Sequence, residues 1–314
     1  MVGAAYHAGA LTALETDLGW DPRNADVIVG TSAGSVVGSL LRLGVAASDL
    51  AAHTVDAIGA ATHPLVTERI ISSPELPPPS LASLARWPRP IGPALWSRWL
   101  TRPWTISPLR ALTALLPDGT VPIVPHLDYF NAASGGVWPE QQLWLPAVNR
   151  RSLRRVIFGR DQLAASLSDA VAASCAIPGY IAPVRIGQEL YVDGGVHSPT
   201  NADILRDEQL DLVIVLSPMS AERITGSGVG AAIRRFAAEK LEREVAKLRA
   251  GGSSVVVFAP GPEVLAYTGI DFMDGDHVVD IVRESFLGTG RQLLGSKNQS
   301  LFAPLAERSR AAVS

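Results

Sequence analysis

Two short stretches of the chain hold side chains suited to covalent chemistry. The first is Gly30-Thr31-Ser32-Ala33-Gly34. It fits G-x-S-x-G, in which a serine sits on a strained turn and flanking glycines let a strand and a helix approach closely. A serine placed there stands at a helix N-terminus, where backbone N–H groups, the Ala33 amide among them, and the positive end of the dipole face a developing oxyanion. Acyl transfer needs that combination. The second stretch is Asp193-Gly194-Gly195, which follows the apolar run Leu190-Tyr191-Val192. A carboxylate at the C-terminal end of a strand lies where open α/β sheets place ligands, and it can serve Ser32 as a base. Each stretch also has a plainer reading, a Gly/Ser turn that opens a helix and an Asp-Gly turn. Spacing alone leaves the role of Asp193 open.

A serine hydroxyl is a weak nucleophile, and its usual base is a histidine held by a carboxylate. The six histidines stand at positions 7, 53, 63, 126, 197 and 277. None lies in a C-terminal loop with the marks of the usual Ser, Asp, His order. His197, four residues past Asp193, is either the base of a Ser-His-Asp system or a loop histidine, and the second reading is preferred.

The elements around these stretches fit such roles. Val27-Ile28-Val29 reads as a strand before Gly30, and Ser35–Leu43 as a tightly packed helix behind it. A helix precedes the strand over Ala4–Leu18. Strands are expected at 142–148, 154–158, 181–186, 189–192, 211–216 and 254–259, and helices at 161–174, 229–249 and 278–294. This alternation argues for an α/β layer fold with a mostly parallel sheet. Prolines 77–79, 88, 90, 93 and 103 break all regularity between 64 and 108, which marks an insert or lid. The expected organisation is a single domain over 1–314, with a core of 1–60 and 141–260, the insert at 61–140 and a C-terminal helical part at 261–314.

Composition narrows the function classes. With 27 basic and 30 acidic side chains, the net charge of -3 provides no field for steering onto nucleic acid. A nucleotide site at the Gly30–Gly34 turn is disfavoured because no Walker lysine follows Gly34. One cysteine, Cys175, builds neither an internal disulfide nor a multi-cysteine metal site, and it reads as a small buried residue. No run approaches the roughly 20 apolar residues of a membrane span, and the N-terminus lacks the pattern of a signal peptide. The expectation is a cytoplasmic protein with at most peripheral membrane contact. Between Glu75 and Asp118 there is no acidic residue, while Trp87, Trp96, Trp99 and Trp104 lie beside Arg98 and Arg102. That mixture suits a membrane interface, and it equally suits a surface insert whose tryptophans pack on the sheet.

Four separated blocks together resemble patatin-like phospholipases: Val2–Leu11, Asp26–Ser35, Ala173-Ser174-Cys175-Ala176-Ile177-Pro178-Gly179-Tyr180, and Tyr191–Val196 with Ser198-Pro199-Thr200 behind it. Their order and spacing match that family over much of residues 1–220. The resemblance implies a three-layer α/β/α fold and hydrolysis of acyl esters in lipids, with no metal or cofactor. It implies a Ser-Asp dyad in which Ser32 is the nucleophile and Asp193 the base. It also assigns Gly3, Gly30, Ala33, Gly34, Gly194 and Gly195 to the oxyanion hole and the motif turns. One departure stands out: of the family's glycine-rich oxyanion loop, only its last glycine, Gly3, is matched. From this follow the expectation of a start codon placed too late and, as the alternative, a catalytically impaired patatin-fold protein that binds lipid or a partner.

Overall fold

The computed structural model describes residues 1–71, 116–224, 227–268, 275–295 and 301–302. The tryptophans and arginines between 86 and 110 lie outside the described residues. In chain order the first half contains α1 (Val2–Leu18), β1 (Val27–Val29), α2 (Ala33–Arg42), α3 (Ala47–Thr54) and α4 (Pro64–Thr67). After the insert come α5 (Val124–Leu127), α6 (Tyr129–Ala133), β2 (Gln142–Asn149), β3 (Arg155–Phe158) and α7 (Leu167–Ser174). Then follow β4 (Val184–Ile186), β5 (Glu189–Asp193), β6 (Leu212–Leu216), α8 (Val229–Ala250), β7 (Ser254–Phe258), α9 (Pro262–Leu265) and α10 (Val278–Leu294). Packing groups these into two units, one of residues 1–26, 40–70 and 199–314, the other of residues 27–39 and 71–198.

In the first unit, α1 is buried around most of its circumference, from Val2 and Tyr6 to Leu11 and Leu14. A helix that is apolar all round must be covered on several sides, and α1 packs against α10 and α3. Gly9 permits this closeness, because a Cβ there would run into the Val282 carbonyl. The parallel pair β6–β7 lies in this unit with α8, whose buried Glu244 accepts hydrogen bonds from the Thr200 hydroxyl (2.5 Å) and the Ala202 amide (2.9 Å). None of the described helices is long and apolar enough to cross a membrane.

The second unit is built on β2. Seven of its eight residues are buried, as in a strand covered on both faces. β3 pairs antiparallel along Leu145–Val148, β1 pairs parallel along Gln142–Trp144, and β5 pairs antiparallel along Ala147–Asn149. Strand carbonyls alternate edges with period two, so those of Trp144 and Pro146 point the same way. Trp144 accepts the Gly30 N–H (3.0 Å), whereas the Pro146 oxygen abuts Gly194, just past β5. The Leu143 oxygen points to the other edge and meets Gly159, just past β3. It follows that β1 and β5 run toward each other along one edge of β2 and end face to face at Leu145–Pro146.

The α/β class holds, and the strand pairing is a mix: β1–β2 and β6–β7 are parallel, while β2–β3, β2–β5 and β4–β5 are antiparallel. The tight links at Arg150–Arg154 and Gly187–Gln188 are too short for crossovers, so the strands they join must reverse. Two elements start three or more residues inside their expected bounds. α7 starts at Leu167 rather than 161, because Ser166 caps it by accepting the Asp169 N–H (3.1 Å), while Asp161 is held back by the Ile157 N–H (2.9 Å). β4 starts at Val184, and Ile181 makes only an isolated bridge to Val121.

Candidate active site

β1 ends at Val29 and α2 begins at Ala33, so the junction is only Gly30-Thr31-Ser32. Making so sharp a turn puts Ser32 in the left-handed region at φ 53. For a residue with a Cβ this costs on the order of 1–3 kcal/mol and persists only where the surroundings impose it. They do so here with four hydrogen bonds. The Gly34 N–H donates to the Thr31 carbonyl (2.9 Å), and the Ser32 carbonyl accepts both the Ser35 N–H (2.7 Å) and the Ser35 hydroxyl (2.6 Å). The Ser32 N–H donates to the hydroxyl oxygen of Ser174 (3.1 Å). Gly30 is required because a Cβ would strike the Gly34 carbonyl.

These bonds use the amides of Ser32, Gly34 and Ser35. The amide of Ala33, at the first position of α2, is among those with no acceptor inside the helix.

Asp193 closes β5 from the other direction. Its N–H donates to the Ala176 carbonyl (2.9 Å), and its Oδ1 accepts the Gly195 N–H (2.6 Å). The Ser32 side chain is near enough to this carboxylate to pull its pKa down. The residue is 5 % exposed. Burial pushes its pKa up to about 6 from an ordinary 3.8, against the opposing pull of the Gly195 hydrogen bond and the Ser32 side chain. Gly194 must be glycine: a Cβ would collide with the Pro146 carbonyl and stand 3.1 Å from Thr31 Cγ2. Gly194→Ala is expected to cost about 1–3 kcal/mol and to lower turnover by wedging the Asp193 turn away from Thr31. Equal melting temperatures and rates for the variant and the parent would refute the close approach.

The second unit thus brings together Ser32, Asp193, Gly30, Ala33, Gly34, Gly194 and Gly195. Gly3 lies in the first turn of α1, in the first unit. His197 follows the single turn Gly194–Val196 and donates its N–H to the Gly194 carbonyl (2.9 Å). Cys175 is buried as expected, 3.5 Å from the Ser35 hydroxyl, and burial first, then Asp193, push its thiol up to about 12, so it stays neutral. Three contributors were not singled out in the sequence: Ser35, Ser174 and Pro146. Ser174 stands within a family-like block, which was the only sign of it. Among the described residues no group of three or more His, Cys, Asp or Glu side chains could hold a metal ion.

A serine on a strained strand-to-helix turn beside a buried carboxylate has the form of a nucleophile elbow. A family model described as patatin-like phospholipase matches residues 1–206 of the 314. The chain belongs to the patatin-like phospholipase family, and its general class is lipid acyl hydrolase. A search of curated proteins found no match.

Proposed function

We propose that the protein cleaves acyl esters of lipids through a Ser32–Asp193 dyad and an acyl-enzyme. The observation that carries this reading is the meeting of the strained Ser32 turn with the buried Asp193 turn, where Gly194 lies against Thr31 and the Ser32 side chain pulls the Asp193 pKa down. Ser32 Oγ attacks the acyl carbonyl carbon as its proton passes to Asp193, and the carbonyl oxygen becomes an oxyanion that the Ala33 N–H stabilises. Collapse of this intermediate breaks the ester C–O bond, and Asp193 returns the proton to the departing alcohol. Water then attacks the acyl-serine, Asp193 accepts its proton, and the second collapse frees a carboxylic acid and restores the Ser32 hydroxyl.

A base must be ionised to accept a proton. Because burial raises the Asp193 pKa, the acid limb of kcat/KM is expected at about pH 6 instead of at the ordinary carboxylate value of 3.8. Below it the rate falls about tenfold per pH unit. The test is labelling by a fluorophosphonate, with the modified residue located by peptide mass, followed by the same measurement as a function of pH. Modification of Ser32 with that limb supports the dyad. A protein that stays unmodified at Ser32, or one labelled equally at pH 5 and pH 8, overturns it.

A further inference from the structure

The segment that ends α7 touches both halves of the dyad without contributing to it. The Ser174 side chain is fully buried, and its hydroxyl donates to the Pro146 carbonyl (2.8 Å) while accepting the Ser32 N–H (3.1 Å). Two residues on, the Ala176 carbonyl accepts the Asp193 N–H (2.9 Å). The amides of both reacting residues are therefore held by one short stretch, Ser174–Ala176. The direction of the Ser174 hydroxyl is fixed, because a carbonyl can only accept: its proton must point to Pro146, which leaves a lone pair for the Ser32 amide. The same Pro146 oxygen lies against Gly194, so one β2 carbonyl sets the level of the serine turn and of the aspartate turn.

We propose that Ser174 is a positioning residue for the Ser32–Asp193 pair: by bridging the Ser32 amide to the Pro146 carbonyl, it holds the strained serine at the height of the carboxylate. This rests on the dyad reading above. The Gly30 N–H reaches this strand at Trp144, and the Gly34 and Ser35 bonds close within residues 31–35, whereas the Ser174 bridge ties Ser32 itself to the strand that also positions Asp193. The bridge also commits the Ser32 N–H, so the Ala33 N–H is the elbow amide left to face an oxyanion. Losing the bridge leaves Ser32 free to relax toward ordinary φ values, which turns Oγ away from Asp193.

Such a role slows the reaction of bound ester and leaves its binding alone. Ser174→Ala is expected to lower kcat and the maximal rate of fluorophosphonate modification of Ser32 by about 10- to 100-fold, since small misplacement of reacting groups costs that much. KM should stay within about twofold. The acid limb should move to higher pH, because the pull of the Ser32 side chain that lowers the Asp193 pKa is weakened. A buried serine needed only for folding would not move that limb. Ser174→Thr, which keeps the hydroxyl, should recover most of the rate. If the alanine variant does not fold, Ser174→Cys serves in its place, with a weak donor and acceptor at similar size and an intermediate rate expected. The proposal is overturned by a folded Ala or Cys variant that reacts at the parental rate, or by a threonine variant as slow as the alanine one. Failure of the parent protein to label at Ser32 overturns the dyad and with it the positioning role, whereas normal labelling of both parent and Ser174→Ala defeats the positioning role alone.

Discussion

Ser32→Ala is expected to lower hydrolysis of a short-chain p-nitrophenyl ester by on the order of 10,000-fold or more, the scale on which removal of a serine nucleophile acts in other hydrolases. Asp193→Ala should cost a comparable factor, because it removes the proposed acceptor of the hydroxyl proton. The two losses should not multiply. Residues that act as one unit in a single proton transfer are each useless without the other, so the double variant is expected at the rate of the worse single variant. Measurement of all four proteins at a pH well above 6 keeps incomplete ionisation of Asp193 from mimicking the effect. A Ser32→Ala protein within about tenfold of the parent would remove Ser32 as the nucleophile. A double variant far below both single ones would mean that the two residues act separately.

Much of this site was legible because its chemistry is local. Val27–Val29, the following glycine turn and the helix behind it lie where the apolar pattern put them, and α10 keeps the bounds 278–294. The same pattern could not show the strand pairing, because an apolar run such as 142–148 reads alike whether its neighbours are parallel or antiparallel. The meeting of β1 and β5 depends on two registers along β2, at Trp144 and at Ala147, and neither leaves a trace in composition. Pro146 was hidden for a related reason: its contribution is a backbone oxygen pointing to one edge of the sheet. Ser174 looked like one more small residue in an Ala-rich helix end. For Asp193 the turn reading is seen directly, since its Oδ1 accepts the Gly195 N–H, and this leaves room for the proposed role as base because the Ser32 side chain also acts on the same carboxylate.

Burial of that carboxylate sets a cost which a single substitution should relieve. In the unfolded chain Asp193 ionises near the ordinary 3.8, and in the folded protein near 6, so between those values the folded state holds a proton that the unfolded state has lost. Folding stability owed to this group is full below about pH 4, declines as pH rises, and is gone above about pH 6. The loss is on the order of 3 kcal/mol, since each unit of pKa corresponds to about 1.4 kcal/mol. Asn in place of Asp193 cannot ionise, keeps an oxygen for the Gly195 N–H and fills the same volume. Asp193→Asn is therefore expected to be inactive and yet more stable than the parent at pH 7, with the gap in unfolding free energy narrowing to near zero by about pH 4. Comparing the two proteins at each pH cancels the titration of every other carboxylate. Denaturant unfolding at several pH values reads the gap directly. A gap that does not change with pH, or an Asn variant less stable at every pH, would show that the buried carboxylate is not held at a raised pKa, and the acid limb proposed for catalysis would fall with it.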